Sequence, residues 1–301
     1  MLWCVGGKTR QKRKPRSPTP TPDITMSASS RLPIWLLSHG SPALYTETHL
    51  PAYNFYQQLS RTLPRQPDAI ICVSAHWTEN SPAVTTEDHP KQIYDFYGFP
   101  AHMYEYKYQT TGDPALAGRI LGALRDAGFA RAFGTSSRGH DHGTWSPLSI
   151  TFPPDAAGRA PIPIVQLSLI GGYDAAEHIR LGQALQPLLE QENVLLVCSG
   201  GVVHNLRQLS FGHAAQQAPP PAPWAAAFDE YTTATLTQHT GAERERILTQ
   251  HPLHQHERQA HPEADHLAPV FVAAGAAGDQ PARLVHTSWV AGNLSMSSYI
   301  M

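Results

Sequence analysis

Short apolar, β-branched runs alternate along this chain with longer stretches of helical period. Pro33–Ser38 (PIWLLS), Ala69–Ala75 (AIICVSA), Pro163–Leu169 (PIVQLSL) and Asn193–Cys198 (NVLLVC) have the length and composition of fully buried strands. Ala83–Thr86 reads as a further short strand, and Ala282–Trp289 and Ser295–Met301 as terminal ones. Between them, apolar positions recur three and four apart. His49–Leu63 carries Tyr53, Phe55, Tyr56 and Leu59 at such positions. Asp113–Gly128 opens on a capping Asp113, has Pro114 in its first turn and closes on Gly128. Asp174–Glu190 begins on a capping Asp174 with Glu177 three residues on. Trp224–His239, Glu243–His251 and Asp265–Ala277 complete the helices, the last with Pro269 in its first turn. Residues 90–106 are dense in aromatics and broken by Gly98 and Pro100, a loop that either walls a pocket or lies flat on the core. Residues 137–147 read as a polar turn, and the prolines of 218–223 as a stop inside a loop. Strands and helices alternate without an internal repeat. The pattern predicts a single α/β domain over residues 31–301, with a central mixed sheet flanked by helices.

Composition changes this picture at one end only. Residues 1–30 combine KTRQKRKPR with SPTPTP and have no apolar period, the signature of a disordered basic, proline-rich tail. Such a tail is either a nuclear or organellar address or a solvated extension upstream of Met26, and the absence of an amphipathic helix favours the second. It holds six of the 22 Lys/Arg and one of the 24 acids, which leaves residues 31–301 at net −7. An acidic body argues against nucleic acid as a partner. No apolar run reaches 18 residues, so a membrane span is not expected. Cys4, Cys72 and Cys198 are far apart, two of them in strands, and read as reduced residues of a cytoplasmic protein.

The 17 histidines matter more than the charge. Three apolar strands each deliver one at the C-terminal end: strand 33–38 runs into His39, strand 69–75 into His76, and strand 193–198 through Ser199-Gly200-Gly201 to His204. That is the edge where open α/β sheets bind ligands, so a shared site is expected. Imidazole is a good ligand for a divalent metal and titrates near neutrality. His39 and His76, each preceded by a small residue (Ser38, Ala75), form the best first pair of ligands. The Arg138–Pro147 turn offers His140 and His142 around Asp141, and His266 opens an apolar helix with its ring free to point at the sheet edge. His251, His254, His256 and His261 lie in a polar stretch and read as surface residues. Taken singly, His39 or His76 is more simply a histidine bonded to a loop carbonyl, and His140 and His142 two solvated rings about a capping Asp141.

Six segments occur in order: LSHGSP (37–42), SAHWTE (74–79), YDFYGFP (94–100), HDHGTWSPL (140–148), SGGVVHNL (199–206) and PEADHLAPVFVAAGA (262–276). Together they resemble the class III extradiol ring-cleavage dioxygenases, in the branch of the 4,5-DOPA dioxygenases, from about residue 32 to the C-terminus. The resemblance implies one divalent metal at the C-terminal strand ends, held by His39, His76 and His266. It implies His204 as the acid/base histidine and His142 as a second histidine facing the substrate. The substrates implied are a catechol, DOPA-like or another small ortho-diphenol, and O₂. The aromatic loop, with Tyr97, would hold the ring, and Trp77 and Trp145 would flank it. Iron oxygenases commonly use two histidines and a carboxylate. Here the third position is His266, with Glu263 and Asp265 nearby. Three neutral histidines suit Zn(II) as well as Fe(II), but only iron supports the oxygenase chemistry. A zinc-dependent hydrolase, or a non-enzymatic binding protein, on the same scaffold are the competing readings. A carboxylated substrate would call for a basic partner, for which Arg138 and Arg207 are the candidates.

Overall fold

A computed structural model describes residues 31–209, 220–250 and 252–301. The 1–30 tail with its two readings, the first proline of the 218–223 stop, Cys4 and His251 lie outside these residues. The expected strands, joined by a short one at 133–135 that the pattern did not reveal, form one eight-stranded mixed sheet in the order β4-β3-β5-β2-β6-β1-β10-β7. Its centre is four parallel strands: β5 (Ile164–Ile170), β2 (Ala69–Glu79), β6 (Val194–Gly200) and β1 (Ile34–Ser38). β3 (Ala83–Thr85) and β4 (Phe133–Thr135) extend one edge. The antiparallel strands β10 (Ser298–Ile300) and β7 (Arg283–His286) extend the other. The terminal run 282–289 divides. β7 joins the main sheet, while β8 (Trp289–Val290) pairs with β9 (Leu294–Ser295) in a separate hairpin.

The central strands are buried on both faces, which is why they are apolar throughout rather than alternating. Alternate residues still face opposite ways. Ile34, Leu36, Ile71, Val73, Leu196 and Cys198 belong to one core. Trp35, Leu37, Ile70, Cys72, Leu195 and Val197 belong to the other. The first core is covered by α2 (Pro114–Asp126), α4 (Ala175–Gln191) and α8 (Ala268–Ala277), and the second by α1 (Pro51–Leu59) and α3 (His142–Thr151). The capping residues act as read: Asp113 accepts the Leu116 amide and Asp174 the Glu177 amide. α5 (Pro223–Gln238), α6 (Gly241–Leu248) and the short α7 (Glu257–Ala260) connect β6 to α8. No helix among the described residues is long and apolar enough to cross a membrane.

One element differs in kind from expectation. The 137–147 stretch, read as a polar turn, ends in helix α3, which begins at His142. Every residue of α3 is buried and Pro147 lies inside it, so it has no amphipathic period to reveal it.

α8 has His266 on its N-terminal approach, so the seat of this helix on the sheet sets where that ring stands. It lies unusually close to α4, where an added Cβ on Gly182 would fall 2.0 Å from the Val272 carbonyl, and one on Gly275 2.0 Å from the Ile179 carbonyl. Backbone cannot yield there as a side chain would. Gly275→Ala is therefore expected to destabilise the fold by about 3 kcal/mol or more, read as the urea midpoint. Gly122→Ala on α2, where nothing lies within 4 Å of the new methyl, should be neutral or mildly stabilising.

Candidate metal centre

β1 and β6 run in register so that Ser38 faces Gly200, and the His39 amide donates to the Gly200 carbonyl at 3.1 Å. The His39 ring then reaches Ser199 Oγ through Nδ1 at 2.9 Å. Ser199 has one hydroxyl proton and donates it to the Gly143 carbonyl. Its oxygen must accept from His39, so His39 carries its proton on Nδ1 and turns the Nε2 lone pair inward. His76 lies on β2 beyond the register shift that follows Val73. Its Nδ1 faces Asp95 Oδ2 at 3.4 Å and its Nε2 meets His39 Nε2 at 3.1 Å. His39 Nε2 can only accept there, so the contact is filled by a proton on His76 Nε2 or by a cation that both lone pairs share.

His266 arrives from the other face of the sheet. Its carbonyl accepts the Gly201 amide at 3.0 Å, and Gly200 leaves the room: a Cβ there would stand 2.4 Å from that same oxygen. The ring is 4 % exposed, and neither nitrogen has a hydrogen-bond partner. Asp265 Oδ1 lies 3.0 Å from Nδ1 but takes its hydrogen bond from the His266 backbone amide. The three ring centroids are 4.9–5.1 Å apart, and one nitrogen from each ring lies within 4.8 Å of the others. Buried imidazole nitrogens without partners are costly. A divalent cation accepting all three lone pairs satisfies them, so the residues fit a metal.

Two more histidines border this triad. His142 is the first residue of α3, and Gly143 behind it admits the ligands. A Cβ on Gly143 would lie 2.5 Å from Ser74 Oγ, 3.0 Å from the His76 ring and 3.2 Å from His39 Nδ1. The His142 ring lies 4.0 Å from His76 and 5.5 Å from His39, centroid to centroid. Asp95 receives both the His142 amide (2.9 Å) and Nδ1 (3.0 Å). His204 comes after the glycine turn. Its amide donates to the Ala260 carbonyl, it bridges to Leu294 of the small hairpin, and its ring stacks on His266 at 3.5 Å and 5°.

Burial governs the protonation of this cluster. Burial, and then the neighbouring imidazoles, drive His39 and His266 well below the usual histidine range. Burial brings His76 to about 4 and His204 to about 3, the latter with help from His261. Asp95 is pushed up by burial, but the hydrogen bonds and charge of His142, with His76 behind, hold it at about 2. Its carboxylate is ionised.

The other expected site residues fall differently. Tyr97 is not brought into the site. It is 92 % exposed, because its neighbour Phe96 takes the inward position against His142, Trp145 and Tyr104. Trp145 is fully buried under the aromatic loop, its indole donating to the Ile93 carbonyl. Trp77 is buried, donates to Glu79 and carries the Arg138 guanidinium over its ring at 5.6 Å. Arg138 donates to the His76 carbonyl and to buried Asp141, so its charge is committed within the protein. His140 is buried against Thr110 rather than exposed in a turn. His261, read as a surface residue, is buried with Nε2 donating to the Val202 carbonyl at 2.7 Å. Asp95, Ser199 and Gly143 escaped the sequence reading, which had Phe96 only as one of the aromatic residues of the loop. Asp95 alone left a trace there, as the one carboxylate inside the aromatic YDFYGFP run.

An α/β sheet with a cluster of convergent histidines at its C-terminal edge is an arrangement that could hold a divalent metal. Residues 30–301 match the catalytic LigB subunit of aromatic ring-opening dioxygenases, and the chain belongs to that family, the class III extradiol dioxygenases. It is 37 % identical over 272 residues to the 4,5-DOPA dioxygenase extradiol of Beta vulgaris, covering 88 % of this chain and 94 % of that protein. It is 38 % identical to the protein of the same name in Escherichia coli, over 92 % of this chain and 96 % of that one. The crystal structure of an uncharacterized Escherichia coli K12 protein superposes with a TM-score of 0.70 at 31 % identity, covering 90 % of this chain and all of that one. The family is one of metal-dependent oxidoreductases that cleave aromatic rings.

This geometry has two measurable outcomes. Ser199→Ala removes the acceptor that fixes the His39 tautomer, so metal affinity should fall about 10- to 100-fold by chelator competition, with the fold intact. The metal-free protein should also be acid-labile. His140 and His261 are held at about 4 by burial. The unfolded chain therefore takes up protons first as pH falls. Stability present above about pH 6.5 should be lost progressively towards pH 4, seen as a falling urea midpoint.

Proposed function

We propose that this chain opens the ring of a small ortho-diphenol, DOPA or a close analogue, by extradiol cleavage with O₂. In this reading His39, His76 and His266 hold one Fe(II). The relatives named as 4,5-DOPA dioxygenases support the substrate class. The observation that carries the reading is the convergence of three imidazoles, two buried and one half-buried, with inward or unpartnered nitrogens, delivered by segments far apart in sequence. A metal bound there supplies acidification of the diphenol and a path for electrons to O₂, which iron provides and zinc, lacking redox chemistry, does not.

The protein's own groups supply binding and proton transfer. His204, stacked on His266 and kept neutral by burial, has a lone pair available for the proton of the second hydroxyl. His142, on the His76 side of the pocket, turns its second nitrogen to the substrate as a hydrogen-bond acceptor, and the proton taken up by His204 returns to the substrate as the ring opens. Phe96, its ring 6.0 Å from that of His142, forms the apolar wall against which the aromatic ring lies, with Trp145 as its buried support. Trp77, with Arg138 over its ring, serves as a brace for the strand that carries His76.

Metal-free protein loaded anaerobically with Fe(II), then given a catechol and air, is expected to consume O₂ in step with a yellow ring-opened product. The zinc-loaded form should do neither. His204→Asn should keep its metal and lose about 10²- to 10⁴-fold in kcat, whereas His39→Ala should lose the metal itself. Failure of iron-loaded protein to take up O₂ with several catechols would overturn the oxygenase reading, and ester or amide hydrolysis by the zinc form would establish its hydrolase rival.

A further inference from the structure

Asp95 lies in the aromatic loop, and its side chain, 19 % exposed, is turned inward. Oδ1 takes the backbone amide of His142, one of the first-turn amides of α3 that no helical carbonyl can reach. Oδ2 takes His142 Nδ1 at 3.0 Å and lies 3.4 Å from His76 Nδ1. One carboxylate thus contacts a proposed metal ligand and the proposed substrate-facing histidine together. An ionised carboxylate only accepts, so the His142 Nδ1 hydrogen-bonded to it must carry a proton.

From this arrangement we infer that Asp95 is a positioning residue, which locks His142 in the Nδ1–H tautomer so that Nε2 is the nitrogen offered to the substrate. The inference rests on the ring-cleavage reading for its consequence in turnover, but not for the tautomer itself. An imidazole free to exchange its proton between nitrogens would spend part of its time with Nε2–H where a lone pair is needed. The carboxylate removes that choice and fixes the ring plane through two bonds at once. It also ties the loop bearing Phe96 to the end of α3, so that the wall of the pocket and the proton-carrying ring stay in register.

Long-range ¹H–¹⁵N correlation spectra of the zinc-loaded, full-length protein read each imidazole tautomer directly, with the His142 signals assigned by their loss in His142→Gln. Wild-type His142 should carry its proton on Nδ1, and an Nε2–H tautomer there overturns the proposal with no variant needed. In Asp95→Asn the carboxamide can present its N–H₂ to the ring, and His142 should shift to Nε2–H. In the iron-loaded form of that variant kcat should fall about 10- to 100-fold, with KM within about twofold and metal content unchanged. Asp95→Glu, which keeps the carboxylate, should retain Nδ1–H and recover most of the turnover. Unaltered kcat in Asp95→Asn, or an unaltered His142 tautomer, overturns the assignment. Inactivity of the wild type towards all diphenols is a separate result, which defeats the ring-cleavage reading and leaves the tautomer measurement standing.

Discussion

The centre depends on four imidazoles, His39, His76, His204 and His266, remaining uncharged in close quarters, with His142 beside them. Their ring centroids are separated by as little as 3.5 Å for His204 and His266, and by 4.0 Å for His76 and His142. Protonation of more than one would set like charges against each other in a site with little water to screen them. Burial prevents this by penalising each charged form, and the neighbours reinforce it. What remains is a set of neutral lone pairs with few protein partners, an environment that a borderline divalent cation stabilises. Carboxylates stand only at the margins. Asp141, fully buried beneath the site, has its charge taken up by Ser74, Arg138 and Gln166. Asp95 and Asp265 flank opposite sides of the triad.

The fold meets this constraint by bringing backbone unusually close to backbone. His39 and Ser199 come from neighbouring parallel strands, His142 from a helix on one face of the sheet, and His266 from the approach to a helix on the other. They meet only at the strand ends. Gly143 lets α3 start against two ligand rings, and Gly200 lets the β6 turn accept the His266 carbonyl. Gly182 and Gly275 hold α8 against α4 at a separation that no side chain tolerates. Here glycine serves through its small size rather than its conformational range, since none of these four has a positive φ.

The strands and most helices were legible because their signals are local: apolar β-branched runs of five to seven residues, and caps such as Asp113 and Asp174. The histidines at the strand ends were legible for the same reason, since the turn comes directly after the strand. Helix α3 was not. HGTWSPLSIT is buried on every side, so no polar face marks its period, and its internal proline argues against a helix. The inward direction of Phe96 and outward direction of Tyr97 depend on a loop conformation set by Trp145, a residue some fifty positions away. His261 looked polar by its neighbours, yet it lies beneath the turn that holds His204, a relation that exists only in three dimensions.

That same loop couples the substrate wall to the metal. His142 and Trp145 are three residues apart on α3 and so lie on one face of the helix. Residues 93–96 cover that face. Ile93 receives the Trp145 indole, Asp95 holds the His142 ring, and Phe96 lies against both. The loop cannot shift over Trp145 without pulling on Asp95, nor can Asp95 move without disturbing His142 and the Nδ1 side of His76. A change of shape in the aromatic wall is therefore transmitted to a proton-carrying ring and to a ligand ring by two hydrogen bonds and one close contact. In such an arrangement the fit of the diphenol's side chain against the wall and the chemistry at its ring are not independent, because one carboxylate is common to both.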